Sequence, residues 1–121
     1  PWVIEFRTDA EGVPELLVNQ EILNIRNQRI RFPEQKLDLT NFSETIRFDG
    51  PTTNVPFGEV AFQDPTFLPG TVAFNFWGHG VEFLPRRMII NKEGILWNSR
   101  TNIELTGEGK FERREVRKRL P

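Results

Sequence analysis

A chain of 121 residues, 37% apolar and 27% charged, holds one domain's worth of material with the balance of a globular protein. Its 11 Phe and 3 Trp argue against disorder, and the absence of cysteine excludes disulfide frameworks, thiolate metal sites and cysteine nucleophiles. The formal net charge is −1, but six basic against two acidic side chains put +4 on residues 110–121 and leave −5 on the first 109.

Trp2 to Arg7 alternates, with Trp2, Ile4 and Phe6 facing one way and Val3, Glu5 and Arg7 the other, which is the period of a half-buried strand. Thr8 to Gly12 supplies turn chemistry, and Leu16 to Val18 returns as the second strand of a hairpin. Residues 21–32 fit two patterns. Ile22, Ile25 and Arg29 have helical spacing, whereas Ile30, Arg31 and Phe32 have strand character, and two short strands meeting near Asn27-Gln28 are the preferred reading. Lys36 to Thr40 and Glu44 to Phe48 alternate as two further strands, the second closed by Asp49-Gly50-Pro51. Pro51 to Phe57 reads as an irregular loop, Gly58 to Phe62 as a short strand, and Gln63 to Gly70 as another loop.

Thr71 to Trp77 is partly apolar on both faces, as expected of a strand inside a sheet. Gly78-His79-Gly80 then reverses the chain, and Val81 to Leu84 forms a brief run cut by Pro85. Asn91 to Gly94 fits a type I turn completed by a left-handed glycine, which would pair Ile90 with Leu96 and Ile89 with Trp97. A hairpin apolar on both faces must be covered from both sides. Thr101 to Thr106 adds one more strand. The expected architecture is a mostly β, antiparallel, two-sheet sandwich-like domain with little helix over residues 1–109, followed by a basic tail over 110–121.

Few residues invite chemistry. His79 sits between glycines as a turn residue, and one histidine without cysteine makes a poor transition-metal site. Ser43 and Ser99 lack a nucleophile context, and Asp9, Glu11 and Glu15 lack calcium-loop spacing. No catalytic residue, metal ligand or cofactor is assigned. The strongest charge signal is the run Lys110, Arg113, Arg114, Arg117, Lys118 and Arg119. Its plain reading is a solvated terminus; its functional one is nucleic-acid or anion contact, with a log–log salt slope of about −5 if all six met phosphates.

Pro69-Gly70-Thr71-Val72-Ala73-Phe74, a glycine turn, Arg87-Met88-Ile89-Ile90-Asn91 and Gly94-Ile95-Leu96 together resemble the C-terminal part of type IV pilin-like proteins. The likeness is to the minor pseudopilins of the type II secretion protein H and competence minor-pilin group. Trp2 to Phe6 looks like that family's first head strand, and Ile46 to Gly50 like its "I-x-F-x-x-G" segment. The resemblance implies a non-enzymatic head that packs against other subunits of a pilus or secretion pseudopilus. It places the head in the cell envelope, on the periplasmic or extracellular face, with membrane contact only through a segment absent from this chain. It also implies that an N-terminal helix was removed, since no apolar run here approaches the roughly 20 residues that cross a bilayer and position 1 is Pro. An exposed apolar groove of several hundred Å² is then expected along Ile89, Ile90, Leu96 and Trp97. Other readings are a binding module, for DNA through the tail or carbohydrate through exposed tryptophans, and a viral capsid-like β-sandwich.

Overall fold

A computed structural model describes residues 1–64, 66, 69–97 and 102–107. Among these residues there are eleven strands and no helix. One sheet runs β11 (Asn102–Glu104), β3 (Ile25–Arg31), β2 (Pro14–Gln20), β1 (Val3–Thr8), β4 (Ser43–Arg47). The other runs β10 (Glu93–Leu96), β9 (Arg87–Ile90), β8 (His79–Phe83), β7 (Val72–Phe76), β6 (Gly58–Gln63), β5 (Asn54–Val55). Every pairing is antiparallel except β11 beside β3, which is parallel. The fold is the expected mostly β, two-sheet sandwich.

Local chemistry explains the hairpins. At the β1–β2 turn the Asp9 carboxylate accepts the Glu11 and Val13 N–H groups at 2.8 and 3.0 Å. Gly12, at φ +83°, faces the Leu37 carbonyl so closely that a Cβ would collide with it. The Leu37 N–H donates to the Gly12 carbonyl at 2.9 Å, which pins the long loop before β4 onto this turn.

The sheets face each other across an aromatic layer. Ile4, Phe6, Leu16, Val18, Ile30 and Phe32 come from the first sheet or its borders, and Val72, Phe74, Phe76, Val81, Phe83 and Met88 from the second; all are buried. Rings meet across the gap, Phe32 with Phe76 at 5.6 Å, Phe48 with Phe74 at 5.4 Å and Trp2 with Phe83 at 5.6 Å. Burying each such side chain contributes about 1.5–3 kcal/mol, so this layer is what holds the sheets together.

Several expectations change. Lys36 to Thr40 is not a strand but an irregular crossing, because Leu39 remains exposed and the segment is held to the β1–β2 turn by the Leu37–Gly12 backbone hydrogen bond and a solvent-exposed Lys36–Glu11 ion pair rather than by a strand partner. Residues 21–32 give a turn and one strand rather than two, with Asn27 at φ 49° in a bulge opposite the Val18–Gln20 irregularity; its N–H is taken by the Asn19 side chain. The reversal after β7 is the two-residue turn Trp77-Gly78, both at positive φ, so His79 lies in β8 rather than in a turn. A two-residue strand, β5, interrupts the loop expected over 51–57.

The last hairpin also shifts. Asn91 and Lys92 both take positive φ, the signature of a two-residue type I′ turn, and Ile90 pairs with Glu93 rather than with Leu96. Ile89 faces Gly94, not Trp97. An odd change in register exchanges the two faces of the returning strand. Consequently Ile95 turns inward beside Met88, and Leu96 turns outward beside Arg87.

The sheet edges are guarded. Alternation from the Phe48–Trp2 and Thr8–Phe42 hydrogen bonds turns the backbone groups of Ser43, Thr45 and Arg47 outward on β4. Glu44, paired with Phe6, points a charge toward the inner side of that edge, and β5 on the other sheet is only two residues long. Both devices discourage strand addition.

Candidate functional site

The sandwich has two outward faces, and they are built differently. On the first sheet, register aligns a row Glu104, Arg31, Glu15, Arg7 and Ser43, and a second row Asn102, Arg29, Leu17, Glu5 and Thr45. Opposite charges therefore stand on neighbouring strands. Glu15, only 5% exposed, lies 3.2 Å from Arg29 and 3.5 Å from Arg7, in ion pairs without in-line hydrogen-bond geometry. Arg31 reaches Asp9 at 3.0 Å and Glu104 at 3.8 Å, and the Ser43 hydroxyl donates to Glu5 at 2.7 Å. Hydrogen bonds from Val13 and Glu11 hold the Asp9 carboxyl below its ordinary value of 3.8, with Arg31 adding to the effect. This face satisfies its own charges.

On the second sheet the corresponding row reads Gly94, Ile89, Glu82, Ala73 and Phe62, with Leu96 and Arg87 one step along the strands. Phe62 is 57% and Leu96 64% exposed, and Ile89 is half-buried. None of the ion pairs among the described residues lies on this face; Glu82 and Arg87 have no ion-pair partner there. Gly80 and Gly94 contribute no side chain to this face.

Of the four residues expected to form an apolar interface, the structure brings Ile89 and Leu96 to this face. The other two face inward. Ile90 is 5% exposed within the core, and Trp97 packs on Trp2 at 5.2 Å and Phe83 at 5.6 Å while its indole N–H donates to the Leu84 carbonyl. Among the described residues the first sheet covers the inner side of the hairpin, so Ile90 and Trp97 line no exposed groove. Phe62 is the residue that sequence pattern missed: a bulge between Val60 and Phe62 turns its ring outward, against the Val60–Phe62 alternation. The basic run Lys110 to Arg119 lies outside the described residues.

Other candidates are occupied by structure. His79 is 2% exposed; Asn91 donates its amide to Nδ1 at 2.8 Å, which leaves Nε2–H to donate to the Gly107 carbonyl at 3.0 Å. It ties the chain beyond β11 to the second sheet. A cleft of about 510 Å³ opens beside Trp2, Phe48, Val60, Phe62 and Gln63. Its polar groups are engaged, since Gln63 spans the Gly50 carbonyl and the Thr52 N–H, and Trp2 donates to the Gly70 carbonyl at 2.7 Å. Trp2 is buried, and Trp77 and Trp97 are half-buried. Among the described residues no group of three or more His, Cys, Asp or Glu could hold a metal ion.

No family model matches the chain, and neither a curated protein nor a solved structure shows significant similarity to it.

Proposed function

We propose that the chain is a non-enzymatic assembly module that packs against other protein subunits through the outer face of its second sheet. The observation that carries this reading is the contrast between the faces: one pairs its charges internally, while the other presents Phe62, Ile89 and Leu96 around Glu82 and Arg87. Large apolar side chains exposed on one face mark a surface suited to protein contact. Within this reading the resemblance supplies the context, a minor pilin or pseudopilin head of the cell envelope. Two sheets joined by short hairpins, with Arg87 to Leu96 forming one of them, are compatible with it.

Binding of the purified protein to heads of other pilin-like subunits, measured by surface plasmon resonance, tests the proposal. Wild type binds at least one such head, and Phe62→Asp reduces that affinity by about tenfold or more while the circular dichroism spectrum is unchanged. Binding that is indifferent to Phe62→Asp and Ile89→Asp contradicts it. Deleting residues 110–121 addresses the DNA-binding reading: loss of salt-sensitive DNA affinity with subunit binding intact assigns the tail a separate role.

A further inference from the structure

We infer that the partner this face accepts is a second copy of the chain, related by a two-fold axis running along the strands; the inference rests on the docking role proposed above. Charge complementarity carries it. Glu82 on β8 and Arg87 on β9 are adjacent, opposite in sign and, among the described residues, without ion-pair partners. Each is the complement the other lacks.

A two-fold axis parallel to the strands and set between β8 and β9 lays β8 of one copy over β9 of the other. Glu82 of each copy then stands within side-chain reach of Arg87 of the other, the self-complementarity that a two-fold interface requires. The same operation stacks two twisted sheets with strands nearly aligned, a common packing geometry. Ile89 and Leu96 then lose solvent beside the pairs. Five strands about 4.8 Å apart make a face only some 20–25 Å wide, toward the small end of specific interfaces. The dimer should therefore be weak, concentration-dependent and further weakened by salt.

Sedimentation velocity of the full chain over a concentration series tests this. Wild type should shift from monomer toward dimer, and Arg87→Glu or Glu82→Arg alone should each raise the dissociation constant about tenfold or more by placing like charges together. An equimolar mixture of the two single variants should dimerise again, because each then faces its opposite across the axis. So should the double variant Glu82→Arg/Arg87→Glu. A wild type that stays monomeric throughout, or a dimer untouched by both single variants, overturns the second-copy assignment. A monomeric wild type that still binds another subunit in a Phe62-dependent manner overturns this assignment alone and leaves the docking role standing.

Discussion

The outer face of the first sheet and that of the second are both cut from antiparallel strands with alternating side chains, yet they solve opposite problems. In the first, Glu15 sits on the central strand with Arg7 and Arg29 on its two neighbours, so cross-strand register closes the charge balance within the sheet. In the second, Glu82 has Ala73 and Ile89 as its cross-strand neighbours, and its nearest base, Arg87, lies two residues along β9. The difference teaches that charge content says little about how a surface behaves. What matters is whether register delivers each charge to its opposite.

The largest effect should come from breaking what both faces share. Phe83→Ala removes a ring packed against Trp2, Phe74 and Trp97 and should cost about 3–5 kcal/mol in urea unfolding, with both sheets lost in one transition. Separate transitions for the two sheets would contradict a single shared core.

A middle-sized effect should separate the faces. Glu15→Ala leaves Arg7 and Arg29 without their common partner and should destabilise by about 1–2 kcal/mol, short of the ~3–5 for a fully buried pair because both arginines keep substantial solvent access. Glu82→Ala should stay within about 0.5 kcal/mol of wild type, since it has no internal partner to abandon. Equal losses for the two variants, read from denaturant midpoints, would erase the distinction.

The smallest effect is one of pH. Asp9 is held below its ordinary value by the Val13 and Glu11 N–H groups first and by Arg31 after them, so its contribution is present above the unfolded value of 3.8 and fades as pH falls through the lower folded value. Thermal melts should therefore show a steeper loss of stability below about pH 4 in wild type than in Asp9→Asn, whose side-chain oxygen still accepts the turn's N–H groups. Parallel acid slopes would mean that the turn does not couple to the first face.

Much of this was legible in the residues. Alternation found β1, β4 and β7, and the glycine and asparagine turns located the hairpins. Where the reading failed, a residue in left-handed backbone or a bulge was responsible. Asn91 and Lys92 together shorten a turn and exchange the faces of β10, and the bulge after Val60 turns Phe62 outward. Each is a one-residue displacement that hydrophobic pattern does not register, and a shift of one residue is enough to move a side chain from core to surface. The proposed docking face is half legible for that reason: Ile89 and Leu96 carry a signal, Ile90 and Trp97 belong to the core, and Phe62 has none. The parallel pairing of β11 with β3 joins segments more than 70 residues apart and has no local signature.

The central claim is that contacts are made by the second sheet's outer face and not by the first. Amide NMR spectra of the uniformly labelled protein across a dilution series test it most directly. The account predicts concentration-dependent shifts at Ala73, Glu82, Arg87 and Ile89, with Glu5, Leu17 and Arg29 unmoved. Shifts confined to the first face or to the β4 edge, with the second face silent, would contradict it.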